Sequence, residues 1–201
     1  MGLVILLVMM GYLAISVGIV ALAVRHAKKN GRTPWHWGAG AALVMYLIPF
    51  WDWIPTVVAH KYYCATEAGF WVYKTVEQWK AENPGVVEAL IPYEGPQTQR
   101  DGDNKNYVRT YYLNQRFNWI VKHNGKFFPN RWRHEQEIVD TKTNEVLARY
   151  VDFSTSQERR RAGWSGWKMW LDNRNCDGGY YHGKMLQMES QVESMGKGNK
   201  K

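Results

Sequence analysis

No acidic residue occurs before Asp52, and no basic residue before Arg25. The first absence excludes an ordinary soluble N-terminal segment, which needs charge to face water. The second argues against a secretory signal peptide, whose apolar stretch follows a positive n-region. Ala21-Leu22-Ala23 has the small-residue look of a cleavage site, but the apolar run before it is longer than a signal's core, and the positive charges come after it. The run is therefore read as retained. Cysteine is scarce: only Cys64 and Cys176, with no CxxC, which removes zinc ribbons and dithiol redox motifs. HExxH, GxSxG and a Walker-type glycine loop are all missing. Ser165, in Gly163-Trp164-Ser165-Gly166, lacks the nucleophile-elbow pattern. None of the six histidines (His26, His36, His60, His123, His134, His182) has a metal-ligand spacing. His134 and Glu135, adjacent on an expected strand, would point to opposite faces. Asp101 to Asn106 opens like a calcium loop but has Lys105 at its fifth position, Asn106 at its sixth and Tyr112 at its twelfth. No metal and no cofactor is implied.

What is present begins with Leu3 to Val24, an unbroken uncharged run. It exceeds the ~20 residues that cross a bilayer as a helix. Gly11, Ala14, Gly18 and Ala21 put small residues on one side, where a second helix would approach. A second apolar stretch, about 36–56, is bounded by Trp35 and Trp37 at one end and Trp51 and Trp53 at the other, the aromatic pattern of membrane interfaces. Asp52 reads as an interfacial carboxylate beside two prolines. The loop between the runs, residues 25–34, holds Arg25, Lys28, Lys29 and Arg32. By the positive-inside rule it faces the cytoplasm, which puts both termini outside.

The chain carries 26 basic and 18 acidic residues; four of the basic ones and one acid precede His60, leaving a bias of about +5 beyond it. Both cysteines fall in the part placed outside, where disulfides persist. Their pairing would join the two ends of an outer domain, residues 60–188. In it we expect a helix running to Gly69, a strand over Phe70–Val76, short helices broken at Asn83-Pro84-Gly85, and a surface loop over Pro92–Asn106. An antiparallel meander then follows: Tyr107–Leu113, Arg116–Lys122 with Phe117, Trp119 and Val121 on one face, Trp132–Val139, Val146–Phe153 and Trp167–Leu171. Asn124-Gly125 is a hairpin-turn signal, and Asp140–Glu145 a turn with Asn144 left-handed. Ser154–Gly166 reads as a basic loop, Gly178–Gly183 as a flexible one, and residues 189–201 as a frayed polar tail. The fold class expected is a membrane-anchored α+β protein: a two-helix transmembrane hairpin (residues 1–59) and a small, mainly antiparallel β domain.

Two basic-aromatic clusters stand out: Arg131 and Arg133 around Trp132, and Arg159, Arg160 and Arg161 before Trp164 and Trp167. Outside a membrane, phospholipid headgroups or an acidic envelope protein suit them better than nucleic acid. A solvated face, with the tryptophans in the core, is the plainer alternative. The sequence sets no oligomeric state.

Trp51-Asp52-Trp53-Ile54-Pro55, Tyr63-Cys64 and Gly69-Phe70-Trp71-Val72-Tyr73-Lys74-Thr75-Val76, with a weaker echo at Lys168-Met169-Trp170-Leu171 and Cys176, form a pattern similar to a set of uncharacterised proteobacterial two-helix inner-membrane proteins, some prophage-associated. The resemblance covers mainly residues 50–76. It implies a bacterial inner-membrane protein and carries over no catalytic residue. The expected function is an anchored periplasmic binding or envelope-interaction protein, an exclusion-type factor being one form. An envelope enzyme acting on lipid or cell wall, and a phage lysis or pore protein, are the alternatives.

Overall fold

The computed structural model describes residues 2–126, 131–155, 168, 171 and 175–197. Two compact units divide between Pro55 and Thr56.

In the first unit, α1 (Gly2–Lys29) is continuous because its aliphatic run contains no proline. His26, Lys28 and Lys29 occupy its last turn, where cations complement the helix dipole. Gly31 then takes a left-handed φ of +63°, and the Arg32 N–H donates to the Ala27 carbonyl at 2.9 Å, a glycine-terminated stop. Helix α2 (Pro34–Phe50) begins with proline, which costs nothing at a first turn. The two helices run antiparallel in contact. Pro49 has no N–H for the Met45 carbonyl four residues back; the Tyr12 hydroxyl donates to that carbonyl instead. Gly38 sits where a β-carbon would come 2.9 Å from a Val24 methyl.

The contact stripe on α1 is Met9, Tyr12, Ser16, Val20, Ala23 and Ala27, at the three- and four-residue spacing of packed helices. The expected small face is not in it. Gly11, Ala14, Gly18 and Ala21 are exposed, and the close approach is made by a glycine of α2.

Among the described residues, only α1 is by itself long and apolar enough to cross a membrane. The expected second span at 36–56 is not one helix. It is α2, a break at Trp51-Asp52, and the start of α3 (Trp53–Thr66); these meet the same criterion only together, as a bent pair. Pro49 weakens the last turn of α2, and Pro55 is tolerated only because it lies in the first turn of α3.

The second unit is built on a six-stranded antiparallel sheet in the order β1-β6-β5-β4-β3-β2. The strands are β1 (Gly69–Val72), β2 (Thr98–Gly102), β3 (Asn106–Tyr112), β4 (Phe117–Lys126), β5 (Arg131–Asp140) and β6 (Glu145–Thr155). The turn between β5 and β6 is as expected, with Asn144 at φ 58°. Helix α4 (Val76–Glu82) is opened by a capping box: the Gln78 N–H donates to the Thr75 hydroxyl, and the Thr75 N–H to the Gln78 side chain. The break at Asn83-Pro84-Gly85 separates it from a 3-10 turn at Val87–Ala89.

Other expectations need correction. Asn124-Gly125 is not a turn. The β4–β5 ladder runs on through Gly125↔Trp132 to Lys126↔Arg131. Glycine is needed at 125 because a β-carbon would lie 2.6 Å from the Trp132 ring. Within the expected loop 92–106, Thr98–Gly102 pair with β3 as an exposed edge strand. The polar tail and the glycine loop before it are mostly helix: α5 spans Tyr180–Lys197 and buries Met185, Met188, Val192 and Met195. Those four recur every three or four residues, a stripe too thin to lift the helix's mean hydropathy. Of the expected last strand, Lys168 and Leu171 are described and neither is in the sheet; the rest lies outside the described residues.

The core lies between one sheet face and helices α4 and α5. Phe117, Ile138, Ala148 and Tyr150 meet Val76, Trp79, Leu90, Leu113 and the buried stripe of α5. At one end Asp140, fully buried, accepts hydrogen bonds from Trp79 Nε1 at 2.9 Å, Arg116 Nε at 2.9 Å and the Lys142 N–H at 3.0 Å.

Candidate functional site: a cationic groove beside a histidine pair

At the opposite end of the sheet from Asp140, the long β4–β5 ladder sets alternate residues on alternate faces. Lys122, Lys126, Arg131 and Arg133 line an open groove of about 600 Å³, with Tyr107 and His123 among its walls. Asp101 and Glu135 are the carboxylates in the lining. Two of the four cations are engaged: Lys122 pairs with Glu137 at 2.6 Å, and Arg133 with Glu135 at 3.1 Å and Glu67 at 4.0 Å. The Arg131 guanidinium lies over the Tyr63 ring at 4.3 Å and the Phe153 ring at 5.7 Å. Among the described residues, Arg131 and Lys126 have no carboxylate in ion-pair range. The groove is thus net positive, and Arg131 is held in place by ring faces that leave its charge uncancelled.

Behind the groove wall the register places His123 opposite His134. Their Nδ1 atoms are 2.7 Å apart, so one ring donates its N–H to the other and only one proton sits between them. His134 Nε2 lies 3.0 Å from Ser154 Oγ. His123 stacks on Tyr107 at 4.3 Å, and Arg100 lies over the Tyr107 ring at 4.2 Å. Burial, then His134, Arg109 and Arg100, push the His123 pKa down to about 4. Burial likewise lowers His134, with Asp152 opposing and His182 adding to the drop. Both rings are therefore neutral near pH 7, and the chain Ser154–His134–His123 can pass one proton along its hydrogen bonds.

Further along this face the Gln136 amide donates to His182 Nδ1 at 3.2 Å. Burial and the Asp152 carboxylate raise Tyr150 well above the ordinary phenol range.

Of the residues singled out in the sequence, the fold brings Arg131 and Arg133 together in the groove. Arg159, Arg160 and Arg161 lie outside the described residues. Trp35 and Trp37 sit in the first turns of α2, Trp51 in the break and Trp53 at the start of α3; all four are exposed, Trp35 by 78%. Cys64 and Cys176 are joined in a disulfide, across 112 residues of sequence. Lys122, Lys126, His123 and His134 were missed as a group. With a turn placed at Asn124-Gly125, His123 cannot face His134. The pairing needs the longer ladder, which runs on to Lys126↔Arg131. Asp103, read against a calcium loop, instead accepts the Lys105 and Asn106 N–H groups in the β2–β3 turn, which holds its carboxyl below the usual range.

Comparison of the chain with protein-family models, with curated proteins and with solved structures returns no match.

Proposed function

We propose that this protein is a membrane-anchored binding protein whose sheet domain lies on the non-cytoplasmic side of a bacterial inner membrane and takes an anionic envelope ligand in the cationic groove. The observation that carries the binding reading is the groove, in which Arg131 and Lys126 meet no carboxylate among the described residues. The anchor reading rests on α1, where eleven large aliphatic side chains from Leu3 to Leu22 are exposed. Soluble monomers rarely leave so large an apolar surface in water. The contacting helix α2 and the bent α2–α3 segment would complete a transmembrane hairpin, with Trp35, Trp37, Trp51 and Trp53 at headgroup level. The basic cluster at Arg25–Arg32, which closes α1 and follows it, favours the outward orientation, and the disulfide suits an oxidising compartment. The kinship with proteobacterial inner-membrane proteins belongs to the same proposal.

Two measurements test it. A C-terminal reporter fusion should report the periplasm; a cytoplasmic signal overturns the topology. The full-length protein in neutral nanodiscs should bind short-chain phosphatidylglycerol saturably and short-chain phosphatidylcholine not at all. Arg131→Ala and Lys126→Ala should each weaken that binding at least tenfold. Equal binding of both lipids, or no effect of either substitution, refutes the groove reading.

One observation favours a second reading, an envelope hydrolase: the Ser154–His134–His123 chain has the order of a nucleophile, a base and a base-orienting group. Turnover of a p-nitrophenyl ester, lost in Ser154→Ala and His134→Gln, is its test; turnover unchanged by both variants removes it.

A further inference from the structure

The Cys64–Cys176 disulfide has a histidine against it. His60 and Cys64 lie four apart on α3, so both face the same way. His60 Nδ1 is 3.8 Å and Nε2 3.6 Å from Cys64 Sγ. The ligand atoms of His60, Cys64 and Cys176 all fall within 4.8 Å of one another. His60 Nε2 also lies 3.2 Å from the Phe153 carbonyl oxygen. A carbonyl only accepts, so Nε2 carries the proton and Nδ1, 3.8 Å from Cys64 Sγ, is left with its lone pair. That is the arrangement of metal-binding histidines, whose second nitrogen donates to a backbone carbonyl and so fixes the tautomer.

Zinc–sulfur and zinc–nitrogen bonds of about 2.3 and 2.0 Å at a tetrahedral angle put sulfur and nitrogen about 3.5 Å apart. The present His60–Cys64 spacing is within a few tenths of an ångström of that. The Cys176 N–H donates to Asp152 Oδ1 at 2.9 Å, a tie of the second cysteine's backbone to β6 that is separate from the disulfide.

We propose that His60, Cys64 and Cys176 form a redox-gated site for a thiophilic d¹⁰ cation, Zn²⁺ or Cu⁺, bound by two thiolates and one imidazole when the disulfide is reduced. A dithiol reductant supplies two electrons and two protons to the disulfide, giving two thiols and its own cyclic disulfide. A divalent ion then displaces both thiol protons, forming two metal–sulfur bonds and releasing two protons. In reverse, an acceptor disulfide takes the two electrons of the thiolate pair and two protons from water, its own sulfur–sulfur bond breaking to give two thiols, while the Cys64–Cys176 bond re-forms and the cation leaves. Two thiolates and one imidazole match soft-metal preference and leave a fourth position open to water or a further ligand. Metal and disulfide are alternative uses of the same two sulfurs. The proposal does not depend on the groove or on the side of the membrane.

The test uses the full-length protein in detergent, reduced with a phosphine under argon and titrated with Co²⁺. One equivalent should bind, with thiolate-to-cobalt charge-transfer absorption, and Zn²⁺ should displace it. Air-oxidised protein should bind none. Cys64→Ser and Cys176→Ser should abolish the charge-transfer band. His60→Gln should weaken Co²⁺ binding at least tenfold and alter the visible d–d bands, while His60→Cys, which restores a third soft ligand, should bind with a stronger sulfur band. Far-UV circular dichroism checks that each variant is folded. No thiolate-to-cobalt band in reduced wild type, or unchanged affinity and spectrum in both His60 variants, overturns the proposal.

Discussion

Asp140 offers the sharpest test of how the sheet domain is held together. Its carboxylate is fully buried and accepts from the Trp79 indole, from Arg116 Nε and from the Lys142 backbone. Arg116 also donates to Asn83 Oδ1 at 3.0 Å, and its guanidinium lies 4.8 Å from the Trp79 ring centroid, so one carboxylate organises α4, β4 and the β5–β6 turn. Burial alone would raise its pKa; Arg116, Trp79 and the Lys142 N–H outweigh burial and hold it below the ordinary value. Asp140→Asn preserves shape but turns an amide N–H toward donors and leaves Arg116 without its counter-charge. Breaking one side of a buried ion pair costs about 3–5 kcal/mol. That is a large share of the ~5–15 kcal/mol that stabilises a domain. The assay is pulse proteolysis in urea on the full-length protein in detergent. The sign with pH follows from the lowered pKa. The stabilisation is present above pH ~4, the unfolded carboxylate value, and is lost as pH falls through the folded one. Wild type should therefore lose stability below pH 4, and Asp140→Asn should lose less. A change under 1 kcal/mol at pH 7, or parallel acid profiles for the two proteins, would refute the reasoning. In a double-mutant cycle with Arg116→Met, the double variant should be more stable than the sum of the singles implies.

Three further outcomes are expected. His123 titrates near 4 in the fold against 6.5 unfolded, so its contribution is full above pH 6.5 and falls away toward pH 4. The full shift is worth about 3 kcal/mol, and its partial exposure reduces that to about 1–2; stability between pH 4 and 7 in wild type and His123→Gln, which should show a flatter profile, checks this. Met185→Ala removes a fully buried side chain from α5 and should cost about 2–5 kcal/mol, whereas a helix not packed on the sheet would give no change in urea unfolding. Gly125→Val drives side-chain atoms into the Trp132 ring and should cost about 1–3 kcal/mol with a shifted near-UV tryptophan signal; an isolated turn glycine would leave that signal alone.

The legible parts of this fold were those with a local cause. Leu3–Val24 is apolar without interruption, and Asn144 is one of the few non-glycine residue types that accept φ > 0. The helix break at Asn83-Pro84-Gly85 follows from residues that cannot continue a helix. Misreadings arose where a local signal had another physical cause or none was strong. Asn124-Gly125 reads as a turn because a type I′ turn favours that dipeptide, yet the packing of the Trp132 ring gives Gly125 a different reason to be glycine. Helix α5 hides its four buried residues among polar ones, and its N-terminal Asp177, which accepts the Gly179 and Tyr181 N–H groups, looks like part of a glycine loop.

The sequence by itself determined an apolar N-terminal helix, a basic cluster at its C-terminal end, and a strand-rich remainder containing both cysteines, because each depends on composition within a few turns of chain. The tertiary structure alone decided what meets what. His123 faces His134, Arg131 shares a groove with Lys126, and His60 stands beside a disulfide whose sulfurs come from positions 64 and 176. Strand register is the physical reason for the first two. A one-residue slip turns every side chain to the other face, so no site on a sheet exists until pairing fixes it.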